Sequence, residues 1–212
     1  MKRRFIIIIA ALYFIGHGLI QTNAFDDAAA QEYADRFVTS YNILYKSYMS
    51  DCTNFVSQCL DAGGLCQTDH WWYKKGIIGI LFDTNSHSWS VANDLKDYMK
   101  NDLSAERIAG KWKKKESFDS TGKRLCYAYT NNSSNIFGYH GEIIFYDWED
   151  DGHIDHASIV VGTNTAYDGT GYGDLINQHT SDRQHTIWHL DKYNTRNQQT
   201  AIYGFRLRKD KY

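Results

Sequence analysis

Ser50-Asp51-Cys52-Thr53-Asn54-Phe55-Val56-Ser57-Gln58-Cys59-Leu60-Asp61-Ala62-Gly63-Gly64 places a cysteine at the mouth of a helix. Ser50 or Asp51 can cap that helix, because their side-chain oxygens accept from the free N–H groups of the first turn. Phe55, Val56, Cys59 and Leu60 recur at helical spacing, and Gly63-Gly64 supplies a left-handed stop. Cys52 then sits in the first turn, where unpaired N–H groups and the helix dipole favour negative charge and lower a thiol's pKa. That is the setting of a nucleophile. Placement alone fits a small buried hydrophobe or half of a disulfide at least as well, so the second half of the chain has to decide.

Gly141-Glu142-Ile143-Ile144-Phe145-Tyr146-Asp147 is a strand-like run, and Trp148-Glu149-Asp150-Asp151-Gly152 carries a turn signal. His153-Ile154-Asp155-His156-Ala157-Ser158-Ile159-Val160-Val161 resumes as a second strand, with His156 opening its most apolar stretch. A helix-mouth Cys followed far downstream by a strand-borne His is the layout of papain-like hydrolases, whose two groups meet only in the folded chain. A third group should orient the imidazole. The strand Leu175-Ile176-Asn177-Gln178-His179 offers Asn177 and His179, which lie two apart and share a face. His140, His153, His185 and His189 have no comparable context and read as surface or core residues.

The stretch from Asp51 to Leu60, with Ala62-Gly63-Gly64, resembles the signature of the putative amidase domain family, within the papain-like cell-wall peptidases and amidases. Three further segments resemble that family in order: Ser88-Trp89-Ser90 leading into a helix, Gly141–Asp147 through His156–Val161, and Gln178-His179-Thr180-Ser181-Asp182-Arg183. Glu142 departs from the Asp that many relatives carry there and keeps the charge. The resemblance spans roughly Ala30 to the C-terminus and implies catalytic residues Cys52 and His156. His179 matches the motif position of the third polar residue and is preferred, with Asn177 as the alternative third member. In this scheme the Cys52 thiolate attacks an amide carbonyl, His156 moves the proton to the leaving amine, and the Cys52 N–H receives the developing oxyanion. The implied substrate is a peptide or peptidoglycan-type amide. A non-catalytic secreted binding module on the same fold, or transfer to an amine acceptor through the same pair, are the competing functions.

Met1-Lys2-Arg3-Arg4, the apolar run Phe5–Ile15 and the small residues Thr22-Asn23-Ala24 read as a signal peptide over 1–24, leaving a single amidase domain over 25–212 and predicting secretion. The apolar run is well short of the ~20 residues that span a bilayer, so the mature chain is expected not to cross one. A formal charge of −2 gives no electrostatic reason to expect nucleic acid as a partner. Lys111-Trp112-Lys113-Lys114-Lys115 reads as a solvated loop or strand edge. With Cys52 free and Cys59 packed in the core, Cys66 and Cys126 are the one sensible disulfide pair. The cysteine spacing lacks the close ligand pairs of structural zinc. Asp147–Asp155 resembles half of a calcium loop but has Ser158 where the bidentate Glu would stand, and reads as an acidic hairpin tip. No cofactor and no metal are expected.

Elsewhere, Asp26–Tyr41 predicts an amphipathic helix with Ala30, Tyr33, Ala34, Phe37, Val38 and Tyr41 inward. Ser90–Lys100 predicts another, with Val91, Leu95, Tyr98 and Met99 inward. Strand signals dominate from Gly141 and end in Thr200–Leu207, while Thr163–Gly173 is the most loop-like stretch. Helices first and an antiparallel sheet second is an α+β arrangement, here of papain-like type with N-terminal helices packed on a C-terminal antiparallel sheet.

Overall fold

The computed structural model describes residues 25–76, 82–101, 106–112, 115–118, 124–127, 140–197 and 199–207, the three segments between 106 and 127 as backbone only. The expected signal peptide over 1–24 lies outside these residues. So do Lys113 and Lys114 of the basic cluster.

Helix α1 spans Asp27–Phe37, and the Asp26 carboxylate accepts from the Ala29 N–H at 3.0 Å, an ordinary N-cap. Ala30, Ala34 and Val38 form its buried stripe, flanked by Tyr33 and Phe37. The helix ends a turn earlier than its periodicity predicts. The Phe37 carbonyl is taken by His179 Nε2 at 2.9 Å, and Tyr41, expected inward, is exposed and lies against the His179 ring.

Helix α2 spans Cys52–Ala62 and is buried from Cys52 to Leu60. Its end is a Schellman motif: Leu65 N–H reaches the Leu60 carbonyl and Gly64 N–H the Asp61 carbonyl, both at 3.0 Å. Gly64, at φ +84°, takes the left-handed position there, while Gly63 stays at φ −73°. The short strands β1 (Tyr73–Lys74) and β2 (Thr84–Asn85) pair with each other, followed by the turn-long α3 (His87–Ser90) and by α4 (Ala92–Asn101). The predicted single helix from Ser90 is thus broken. Val91 sits in an extended conformation between the two pieces and is exposed, and Ala92 joins Leu95, Tyr98 and Met99 in the core instead.

Strands β3 (Glu106–Trp112), β6 (Ile143–Asp147), β7 (His156–Thr165), β8 (Tyr172–Gln178), β9 (Arg183–Ile187) and β10 (Ala201–Arg206) form one antiparallel sheet in the order β3-β10-β6-β7-β8-β9. Strands β4 (Lys115–Phe118) and β5 (Arg124–Tyr127) pair separately. The expected loop over Thr163–Gly173 is narrower than its composition predicts, because β7 runs on to Thr165 and β8 begins at Tyr172. Helices α1 and α2 pack together and against β7 and β8. Helices preceding an antiparallel sheet make the fold α+β, as expected.

Two apolar layers hold the helices in place. Phe55, Val56, Cys59 and Leu60 of α2 are fully buried, as are Ile143, Phe145 and Ile159 of the sheet. On the α3 side Trp71 stacks on Trp89 at 4.9 Å between ring centroids, and Tyr73 packs against Trp89 at 5.3 Å. Burying a side chain of this size stabilises by about 1.5–3 kcal/mol. Packing of this density fixes α2 against the sheet, so the first residue of the helix is held as rigidly as its core.

Candidate active site

The polar residues of the α2 segment are all spoken for. Ser57 accepts from Trp71 Nε1 at 3.1 Å, and Gln58 accepts from the Tyr33 hydroxyl at 2.7 Å. Asn54 accepts from Trp89 Nε1 at 2.8 Å and donates to the Lys46 carbonyl and to Asp51 Oδ1. These bonds satisfy groups that would otherwise be buried at a cost of about 1–3 kcal/mol each. The segment's unusual polarity is therefore the means by which α2 is fixed in a dry core.

Asp51, immediately before the cysteine, is fully buried. It does not cap α2 through its side chain, although the sequence predicts Ser50 or Asp51 as the cap. Its carboxylate accepts instead from the Tyr48 N–H and Asn54 Nδ2, both at 2.8 Å, and from His179 Nδ1 at 2.7 Å. The Asp51 N–H in turn donates to Thr180 Oγ1 at 2.9 Å. The turn that follows β8, distant in sequence, thereby clamps the entrance of the helix.

Cys52 is the first residue of α2 and lines one cleft with His156, while its sulphur lies 3.7 Å from the Thr53 hydroxyl. Burial pushes this thiol up; His156, through both its hydrogen bond and its charge, pulls it down, helped by the Ala157 N–H and the Thr53 hydroxyl. The balance leaves it lowered to about 7. A thiol there is half ionised at neutral pH, the condition for nucleophilic attack.

His156 begins β7 and stacks against Trp148 at 5.7 Å between centroids. Its Nε2 lies 3.0 Å from Gln178 Oε1. Gln178 is oriented by its other end, since Nε2 donates to the Ser181 carbonyl at 3.0 Å. The amide oxygen therefore faces the ring and accepts from His156 Nε2. Cys52, His156 and Gln178 face one cleft, the last two joined by a hydrogen bond.

The two residues expected as third member lie elsewhere. Asn177, in β8, and His179, one residue past its end, do turn the same way, but toward α1. Asn177 donates to Asp35 Oδ1 at 2.8 Å, and both His179 nitrogens are engaged, by Asp51 and by the Phe37 carbonyl. Strand alternation puts Gln178 on the opposite face. The register Ile159↔Asn177 sets Gln178 across from Ser158, diagonal to His156. Gln178 escapes sequence reasoning because an amide inside a strand has no distinguishing signal. Parity alone separates it from its neighbours, and the parity that matters depends on which face α1 covers.

Of the other histidines, His185 pairs with Asp35 at 2.7 Å and stacks on Tyr167. Cys59 is wholly buried, and burial pushes its thiol well up. Cys66 is exposed and unbridged; Cys126, the one partner the sequence offers it, has its side chain outside the described residues. At the acidic hairpin, the Asp147 carboxylate turns inward to accept the Asp151 and Gly152 N–H groups. Among the described residues no three His, Cys, Asp or Glu side chains converge as a metal site would require.

Cys52, His156 and Gln178 open on a cleft of about 450 Å³, lined also by Trp148, Arg183 and Tyr193. Among the described residues no helix is long and apolar enough to cross a membrane.

An α+β fold that carries a lowered thiol against a strand-borne imidazole defines a thiol–imidazole protein. More narrowly, residues 24–203 match the family described as "Putative amidase domain", and the chain belongs to that family. It is also similar to the Bacillus subtilis protein named "Uncharacterized protein YhbB", at 31% identity over 170 residues, which is 77% of this chain and 44% of that protein. The chain thus spans under half the length of this curated relative. No solved structure matches it significantly.

Proposed function

We propose that this protein is a secreted cysteine amidase or peptidase of papain-like type that hydrolyses an amide bond in an extracellular or cell-wall peptide. One observation carries the reading: a thiol at a helix mouth, lowered to about 7 by an imidazole on the same cleft whose Nε2 is held by an amide. The Cys52 thiolate attacks the carbonyl carbon, and the carbonyl electrons collect on oxygen. The Cys52 N–H, in the helix turn whose donors have no intrahelical acceptor, receives that charge. His156 delivers the proton to the departing amine, leaving a thioester, and then draws a proton from water as it attacks the thioester carbon; the C–S bond breaks, the acid leaves and the Cys52 thiolate is restored beside the protonated imidazole. Gln178 keeps the imidazole plane aimed at the sulphur through both halves.

Incubating the mature chain with cell-wall peptide fragments and unrelated peptide amides, with cleavage read by mass spectrometry, tests this. Release of an amine product by the wild type and not by Cys52→Ala is the expected result. Binding without cleavage, identical in both proteins, would instead make it a carbohydrate- or peptide-binding module. Exchange of the amine without net hydrolysis would make it a transferase.

A further inference from the structure

The cleft contains a cation that this chemistry leaves unused. Gln178 and Arg183 are direct partners in the β8–β9 pairing, so their side chains leave the same face of the sheet. Both line the cleft with Cys52 and His156. The Arg183 guanidinium carbon sits 3.8 Å from the centroid of the Tyr193 ring. That ring is itself anchored, because the Tyr193 hydroxyl donates to Asp168 Oδ2 at 2.6 Å. Asp168 is steadied in turn by Thr186 Oγ1 at 2.8 Å and by the Thr170 N–H and hydroxyl. A guanidinium stacked on an anchored aromatic face has its direction set while its N–H edge stays available.

The two arginines of the cleft differ in one respect. Arg196 is paired with Glu149, whereas among the described residues no carboxylate pairs with Arg183. Asp155, the carboxylate that also lines the cleft, accepts the Trp148 N–H at 2.9 Å. A pre-aimed guanidinium fork without an internal anion matches the planar, two-oxygen geometry of a carboxylate.

Resting on the hydrolase reading, we infer that Arg183 binds a carboxylate carried by the substrate close to the scissile amide, which makes this an enzyme for anionic peptides. Arg183 is a specificity-determining residue, distinct from Cys52, His156 and Gln178.

Iodoacetate and iodoacetamide are similar in size and differ by one carboxylate, so they report this contact before any substrate is known. Cys52 alkylation is measured with both at pH 7 in the wild type, Arg183→Gln and Arg183→Lys. The iodoacetate-to-iodoacetamide rate ratio should fall about tenfold in R183Q, the scale of one partly solvated hydrogen bond to a charged group. The iodoacetamide rate itself should stay within about twofold, and R183K should recover part of the ratio without the bidentate geometry. A ratio unchanged by R183Q overturns the inference. If neither reagent modifies Cys52, the hydrolase reading fails, and binding decides about Arg183. In Cys52→Ser the intrinsic tryptophan fluorescence is titrated with N-acetyl-glutamate and N-acetyl-glutamine. Tighter binding of the acid, lost in C52S/R183Q, supports the site; equal binding of both overturns it.

Discussion

Replacing His156 by Ala removes the group that holds the Cys52 thiol at about 7. What remains is dominated by burial, which pushes the thiol up, so it should return at least to its ordinary value near 9.0. That change corresponds to about 2.7 kcal/mol of lost preference for the thiolate. At pH 7 the ionised fraction falls from about a half to about one per cent, some 50-fold. The more basic thiolate that remains is intrinsically more nucleophilic by roughly 6- to 10-fold, for a Brønsted slope of 0.4–0.5. The net loss of alkylation rate at pH 7 is therefore only about 5- to 8-fold, and the rate at a single pH is a poor diagnostic. The midpoint of the pH profile is a sharp one. Iodoacetamide rates from pH 5 to 10, read on the Cys52 peptide by mass spectrometry, should show a midpoint near 7 in the wild type and above about 8.5 in H156A. Cys66, exposed and unbridged, is labelled in the same digest and serves as an internal control. Superimposable Cys52 profiles in two folded proteins would refute the coupling, and with it the assignment of His156 as the base.

Gln178→Ala should lower turnover of any amide substrate by about 10- to 100-fold with little change in KM, a share of the general acid–base contribution, and Gln178→Glu should keep more activity than the Ala variant. If turnover survives Q178A unchanged, the imidazole is oriented by something else. Asp51→Ala leaves the Tyr48 N–H, Asn54 and His179 without their shared acceptor, and urea unfolding should register a loss of about 3–5 kcal/mol. Gly64→Ala forces an alanine to φ +84° into open space and should cost about 1–2 kcal/mol. Gly63→Ala should lower the melting temperature more, although its φ is unexceptional, because a Cβ there would lie 2.4 Å from the Phe25 ring and 2.9 Å from the Asp26 carbonyl. Burial would push the Asp168 carboxyl up, but its Thr170, Tyr193 and Thr186 hydrogen bonds hold it well below the usual carboxylate range. Stability from that carboxylate is present above the unfolded value near ~3.9 and disappears as pH falls toward the folded one, so melts between pH 2 and 5 should be flatter in Asp168→Asn.

The elements most legible in the sequence are those whose pattern is local. The α2 segment declares its start, its buried stripe and its glycine stop within fifteen residues, and the strand signals of β6, β7 and β10 are short apolar runs bounded by turns. Cys52 and His156 stand out because their local settings are chemically unusual. Residues whose role depends on docking are not legible. Val91 fits the inward face of a helix by spacing, yet the capping of α3 puts it in an extended conformation at the break. His179 is the natural third member by motif position, and it does share its face with Asn177. The approach of α1 decides that this face serves the helix mouth and not the imidazole. Strands β3, β4, β5 and β9 carry too few alternating apolar residues to announce themselves.

The lowered thiol belongs to a junction and not to a segment. Its sulphur comes with α2, the imidazole that lowers it with β7 and the amide that holds that ring with β8, and the clamp between Asp51 and His179 joins positions 128 apart in the chain. A chain in which α2 has formed but the sheet has not yet docked holds a cysteine with no imidazole beside it. Reactivity is thus withheld until the last long-range contacts close. A partly folded polypeptide would meet oxidants and electrophiles with an undistinguished thiol, and the rate at which Cys52 becomes reactive during refolding would time the docking of helix on sheet.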